Sequence, residues 1–295
     1  GATATAAASD TLSARINNTA TDFTSVSGFE VHNLTVKDAT AAGFDDATKN
    51  DGLEAASVVN ILGGNSNSSF TVDATAKFDT NKSAATPKTL DASTFNGSLV
   101  LNYGTDDLDM FQTVKGGANA TDSVSTVISA GASTTVGNNP TMSGIEFLTL
   151  TSVNNDADAV INLAKVTGLS AVTANFVTTN NPDQIEIDGL AAGVPVVALA
   201  TGTLDVLDIG LASTSGAADA LTVSVKTNTT SLDLDAAGIE TLNLVAGGAA
   251  GTVNLAGVSP SAGSATTLNL TGADATKDFV LKSIHTGINN INAAG

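Results

Sequence analysis

The chain has 295 residues, with 29 Asp and Glu against 11 Lys and Arg, and a formal net charge of −18. So acidic a surface repels a phosphate backbone, which excludes nucleic-acid binding and favours divalent cations as partners. With no cysteine there is neither a disulfide frame nor a thiolate metal site, so stability must come from packing, backbone hydrogen bonds or oxygen-ligated ions.

Thr, Ser, Asn, Ala and Gly dominate and aromatic residues are only 4%, which favours strands and turns over helices. A recurring signature organises the chain. Its first copy opens at Ala8, Asp10, Leu12 and Ser13, in the order Ala-x-Asp-x-[Leu/Val]-[Ser/Thr], and closes at Gly28-Phe29-Glu30, followed by Leu34 and Val36. A longer insert with Gly43-Phe44-Asp45-Asp46 and Asp51-Gly52 reads as a protruding loop or arm before Val58-Val59-Asn60-Ile61. The second copy opens at Ala120, Asp122, Val124 and Ser125. It closes at Gly144-Ile145-Glu146 with Leu148 and Leu150, and Val160-Ile161-Asn162-Leu163-Ala164 follows. The third opens at Ala217, Asp219, Leu221 and Thr222 and closes at Gly238-Ile239-Glu240 with Leu242 and Leu244. Thr252-Val253-Asn254-Leu255-Ala256 then matches the stretch from Val160. A truncated fourth copy, Asp278-Phe279-Val280 and Gly287-Ile288-Asn289-Asn290-Ile291, places Asn289 where the glutamate would stand.

From front aspartate to back glutamate is 30 − 10 = 20, 146 − 122 = 24 and 240 − 219 = 21 residues, while successive aspartates lie 112 and 97 apart. These spacings divide the chain into repeat units at 1–115, 116–212 and 213–295, the first with the inserted loop and the last with the truncated fourth start. A period near a hundred exceeds the roughly 20–50 residues of common solenoid repeats, so one unit is a small domain or several coils.

Strict alternation in Leu221-Thr-Val223-Ser-Val225, Leu232-Asp-Leu234, Leu242-Asn-Leu244, Val253-Asn-Leu255 and Leu268-Asn-Leu270 predicts short strands with one buried face. The fold class is all-β. Two architectures fit: an elongated parallel β-solenoid-like array of degenerate repeats, or tandem small β-sandwich domains. The lack of tryptophan, the single tyrosine and the filling by small apolar residues favour the solenoid. So does the scarcity of two-residue hairpin turns, for which only Asn96-Gly97, Asp188-Gly189 and Asp51-Gly52 qualify. The longest apolar stretch, Leu190 to Leu204, is broken by Gly193, Pro195 and Gly202 and is too short to span a bilayer. Opening at Gly1 without a methionine or a visible signal peptide, the chain reads as an excerpt or processed piece of something longer.

The front signature resembles the calcium-binding nonapeptide of RTX proteins, Gly-Gly-x-Gly-x-Asp-x-U-x with U apolar, whose carbonyls and aspartates hold Ca²⁺ between coils of a parallel β-roll. In Gly117-Ala118-Asn119-Ala120-Thr121-Asp122-Ser123-Val124-Ser125 the first glycine, the aspartate and the apolar residue match, while both later glycines are alanine. At Asp219 and Asp10 only the aspartate, the apolar residue and the alanine remain, and no copy stands in tandem with another nonapeptide. The plain reading is an aspartate that caps a turn at a strand start. The tract Leu90-Asp91-Ala92-Ser93-Thr94-Phe95-Asn96-Gly97-Ser98-Leu99, the glycine pair Gly116-Gly117 and Gly-Ile-Glu-x-Leu-x-Leu together resemble the β-strand repeats of RTX-type bacterial surface-layer proteins, which leave the cell by type I secretion. That resemblance implies a secreted, extracellular coat at the cell surface, held by Ca²⁺ and built from copies of the chain, with cell-surface polysaccharide as a further partner. Gly117, Asn119 and Asp122, then Asp219 and Asp10, are the implied ion ligands. The stalk of a large secreted RTX adhesin is the alternative.

Asp106, Asp107 and Asp109 form the densest acidic cluster, and the alternating Asp107 and Asp109 lie on one strand face where a cation could bridge them. Their plain reading, shared by Asp156 with Asp158 and by Asp45 with Asp46, is a solvated edge whose charges discourage pairing with another sheet. Catalysis finds little support. The two histidines, His32 and His285, lie near no nucleophile elbow, zinc-binding helix or phosphate loop, and a single arginine, Arg15, does not supply the basic cluster that uronate chemistry needs. A carboxylate pair for glycoside hydrolysis, as in β-helix polysaccharide-active enzymes, would meet only in the fold. Sequons such as Asn33-Leu34-Thr35 and Asn228-Thr229-Thr230 follow from the composition and matter only in a host that glycosylates asparagine.

Overall fold

The computed structural model describes residues 10–16, 29–37, 41–44, 57–73, 89–105, 111–128, 134–135, 140–153, 158–177, 184–200, 203–215, 218–226, 231–247, 251–261, 264–272 and 279–294. All regular structure in them is strand. In chain order the strands are β1 (Thr11–Ile16), β2 (Val31–Val36), β3 (Ala41–Phe44), β4 (Val58–Gly63), β5 (Ser69–Asp73), β6 (Thr89–Phe95), β7 (Ser98–Thr105), β8 (Thr113–Lys115) and β9 (Ser123–Ile128). There follow β10 (Thr134–Thr135), β11 (Thr141–Ser143), β12 (Phe147–Ser152), β13 (Asp158–Asn162), β14 (Val166–Thr167), β15 (Ala171–Phe176), β16 (Gln184–Leu190) and β17 (Val196–Leu199). The last are β18 (Thr203–Leu211), β19 (Ala220–Val225), β20 (Ser231–Ala237), β21 (Thr241–Ala246), β22 (Gly251–Ser259), β23 (Thr266–Gly272), β24 (Phe279–Ile284) and β25 (Ile288–Ala294).

The chain forms two compact units, one of residues 1–104, 108–124 and 140–146, the other of 105–107, 125–139 and 147–295. In the first, β1, β2, β4, β6, β8 and β11 lie side by side in parallel, while β3, β5 and β7 line up in a second sheet. In the second, one sheet runs β10-β13-β16-β18-β20-β22-β24 and the other β12-β15-β17-β19-β21-β23-β25. Parallel neighbours cannot be joined by a tight hairpin and need a crossover. From β2 onward each crossover contains a strand of the other sheet, so each such round trip of the chain is one coil. Both units are parallel β-solenoids. In-register partners are separated by 20 residues (Thr11 and Val31) to 32 (Gly63 and Phe95), within the range expected of a solenoid repeat. Tandem sandwiches would require antiparallel neighbours, and the paired strands are parallel.

Each predicted alternating segment lies in a strand with its apolar residues inward. Leu221, Leu242 and Leu268 stack in one row on β19, β21 and β23, and Ile185, Leu207 and Leu234 stack in another on β16, β18 and β20. All six are almost wholly buried. The polar partners between them also stack. Asn292 donates its amide to Asn269 at 2.9 Å, Asn269 to Asn243 at 2.8 Å, and Asn243 to the Thr222 hydroxyl at 3.3 Å. In the first unit the Asn60 amide donates to Asn33 at 2.7 Å. Such amide ladders satisfy side chain against side chain on successive coils and lock the register.

Three local expectations change. Asn96-Gly97 is a corner between β6 and β7, which belong to different sheets, and Asp188-Gly189 is an irregularity within β16 where Gly189 has φ +68°. Neither makes a hairpin, because consecutive strands in a coil face one another across the core instead of pairing. Gly43 and Phe44, expected in a protruding insert, end strand β3; Asp45, Asp46, Asp51 and Gly52 lie outside the described residues.

Truncation of the leucine row tests this packing. Leu242→Ala is expected to lower the unfolding free energy by about 2–5 kcal/mol, read from urea titration followed by circular dichroism.

Candidate functional site

Of the residues singled out as ion ligands, Asp10, Asp122 and Asp219 are each bonded to the back glutamate of their own copy. The front aspartate and back glutamate of each copy lie one coil apart and are joined by two bonds, one between main chains and one from the aspartate amide to the glutamate carboxylate. Asp10 N–H donates to Glu30 Oε2 at 2.9 Å while Glu30 N–H donates to the Asp10 carbonyl at 3.1 Å. The second copy repeats this with Asp122 and Glu146, both bonds at 3.0 Å. The third repeats it with Asp219 and Glu240, at 3.0 and 2.9 Å. In every copy the glutamate carboxylate reaches back to the coil before it and accepts an amide at a strand start, a group that β-pairing leaves without an acceptor.

The rest of the signature serves the same joint. Gly144 and Gly238 sit at φ +63° and +74°, the left-handed region that glycine enters without steric cost. Ile145 and Ile239 are fully buried plugs beneath the turn. The glycine pair is explained by close approach: a Cβ on Gly116 would fall on the Gly144 carbonyl oxygen, and one on Gly117 would lie 2.3 Å from the Phe95 carbonyl oxygen. No side chain fits between those coils.

The Asp122 side chain adds two bonds of its own to the clasp. It is wholly buried, with Oδ1 accepting Leu99 N–H at 2.8 Å from the preceding coil and Oδ2 accepting Gly117 N–H at 2.6 Å from its own turn. Burial pushes its carboxyl above the ordinary range, against the pull of those two amide bonds. Glu146 is raised too, first by burial and also by the neighbouring Asp122 charge. Glu240 ends lower than usual: burial raises it, but bonds from Ser261 and the Asp219 amide outweigh that, with Ser261 N–H on Oε1 at 3.2 Å.

This arrangement does not fit Ca²⁺ at Asp122. A hard cation wants about six to eight oxygens, and each carboxylate oxygen here faces an N–H donor. Asn119 turns its amide nitrogen toward the Ser98 hydroxyl at 3.3 Å, and Gly117 contributes its N–H. Asp10 is exposed and Asp219 half-buried, and the clasp uses the main chain of each. Asp107 and Asp109, with Asp106, lie outside the described residues, as do Asp45, Asp46 and Asp156. Among the described residues no group of three or more His, Cys, Asp or Glu side chains is placed to hold a metal ion, and no helix is long and apolar enough to cross a membrane.

The matched stretches after Val160 and Thr252 also share one role. Asn162 Oδ1 accepts Ala164 N–H at 2.9 Å and Asn254 Oδ1 accepts Ala256 N–H at 3.1 Å, the same turn capped twice. Both histidines are structural. His285 Nδ1 accepts Gly287 N–H at 2.9 Å. His32 stands in a core row between Leu12 and Val59, fully buried, with Nε2 at 3.2 Å from the Phe29 carbonyl and Nδ1 without a partner. Burial lowers its pKa, offset in part by the bond to Phe29. Compared with known proteins, the chain matches no family model, no curated protein and no solved structure.

Two predictions follow from these geometries. Asp122→Ala leaves the Leu99 and Gly117 amides buried without acceptors, each costing about 1–3 kcal/mol. Asp219→Ala, at a carboxylate only half-buried where Asp122 is wholly buried, costs less in a parallel urea titration. His32 is held neutral, so its folded pKa lies below the unfolded value of about 6.5. The native state then binds fewer protons than the unfolded one, and the stability this contributes is complete above that pH and lost as pH falls through the folded pKa. Leu12 and Val59 beside it are apolar; the charged group on β1, β2 and β4 is Arg15, and Asp10, Glu30 and Lys37 flank those strands. Hydrogen exchange of residues 31–36 should accelerate on acidification from pH 7.5 to pH 5 beyond its intrinsic pH dependence, and His32→Leu should remove that excess.

Proposed function

We propose that this chain is a structural component of a secreted, extracellular surface layer or lattice, assembling with copies of itself, with Ca²⁺ as the counter-ion to its acidic surface. The observation that carries the reading is where the buried polar groups are used. The clasps at Asp10–Glu30, Asp122–Glu146 and Asp219–Glu240, the buried Asp122 carboxylate and the asparagine ladders all join one coil to the next. Groups used in this way suit a load-bearing material. The resemblance to RTX-type surface-layer repeats points the same way, and so does the lack of a catalytic motif in the sequence.

In this proposal Ca²⁺ acts on the net charge of −18, by relieving repulsion between copies, and not through Asp122. Electron microscopy of the purified protein in millimolar Ca²⁺, in Mg²⁺ and in chelator is the test. Sheets or filaments that form in Ca²⁺ and disperse in chelator are expected. Dispersed rods under all three conditions would favour the adhesin stalk, and assembly indifferent to chelator would remove the ion from the proposal. Relief of that repulsion by a divalent counter-ion should raise the melting temperature in Ca²⁺ and in Mg²⁺ alike over that in chelator.

A further inference from the structure

The two sheets of the second unit differ in one property that coil packing does not require. Strands β12, β15, β17, β19, β21, β23 and β25 hold 42 residues, and none is Asp, Glu, Lys, Arg or His. At the chain-wide 14% charged, about six would be expected. Facing this sheet across the core, β10, β13, β16, β18, β20, β22 and β24 hold 45 residues, of which eight are charged and seven of those acidic. Glu186, Asp188, Asp208, Asp233 and Asp235 alternate there with buried residues on three adjoining strands. On the neutral sheet the outward positions carry hydroxyl, amide and aliphatic side chains. One row in register reads Thr149, Thr173, Val197, Ser224, Val245 and Thr271. At its margin Phe147, Val153 and Val177 are 40–43% exposed.

We propose that this neutral sheet face is the surface through which two copies of the chain associate, sheet on sheet. The inference rests on the self-assembly proposed above and names its interface. The charge distribution selects the occupant. Two molecules of net charge −18 repel one another, and an approach through the opposite sheet would bury carboxylates without counter-charges, at high desolvation cost. The strands of the neutral face can be buried with no charge to desolvate, Lys226 standing at the margin one residue past β19, and a face lined with Thr, Asn and Val is complemented by its own equivalent in a two-fold pair, where the two sheets would lie about 10 Å apart. Residual repulsion comes from charges at a distance, which salt screens beyond about 10 Å at 0.1 M. Association therefore tightens as salt rises, the reverse of a contact made by ion pairs.

Sedimentation velocity across a concentration series at low and high salt tests the proposal. Wild-type protein should self-associate, more tightly at high salt. Val197→Glu or Val245→Glu, each placing like charges face to face, should weaken association more than about tenfold. Thr252→Glu, on an outward position of the opposite sheet, should change it little. Circular dichroism and melting curves separate loss of association from loss of fold, and Thr173→Glu in the same row supplies a second readout should a valine variant unfold. A wild type that stays monomeric at both salt concentrations overturns the inference, as does equal weakening by Thr252→Glu. A face that binds a neutral polysaccharide while the protein stays monomeric reassigns the surface and also overturns it. Association without sheets or filaments in the microscope leaves the interface standing and removes the lattice reading; a lattice that survives the face variants does the opposite.

Discussion

Every coil in this protein must begin at a fixed position on the coil before it, because parallel strands have no hairpin to set their register. The main-chain clasp between a strand-start aspartate and the glutamate one coil later meets that constraint. It pairs amides left over at the strand start, and it does so reciprocally, so a slip by one residue would break two bonds and turn the apolar row outward. The glycine contact of Gly116 with Gly144 and the buried isoleucines bring the coils close enough for the carboxylate to reach. Leucine rows and asparagine ladders then extend the same register along the strands.

The strands were legible because alternation is a local property: Leu242-Asn-Leu244 can only bury both leucines on one face of an extended chain. The repeat was legible as well, but its meaning was not. The distances of 20, 24 and 21 residues between front aspartate and back glutamate are single coils, whereas the period of about a hundred drew attention because the signature marks only some of the joints. The unmarked ones, such as Val58 on Thr89, are made by strand pairing without a glutamate. Knowing that the structure is parallel converts each short spacing into a neighbour relation; without that, a spacing is only a length.

Asp122 shows why ligand sets are hard to read from a chain. An aspartate after a glycine pair suits a calcium turn and an amide-capping turn alike, and the choice depends on what the previous coil offers. Here it offers the Leu99 amide. The turn candidates Asn96-Gly97 and Asp188-Gly189 misled for a related reason. A glycine that tolerates positive φ serves a corner or a bulge as well as a hairpin, and only the partner of the next strand tells them apart.

The stacking of strands one coil above another has a mechanical consequence. Within each unit the N–H···O bonds between coils point along the stacking direction. A pull in that direction meets them a coil at a time, so the outermost coil can peel while the rest holds. A pull along the strands instead loads every bond of a sheet in shear together, and the amide ladders with them. Each unit is therefore stiffer across the coils than along the stack, and its clasped joints are the places where peeling would pause.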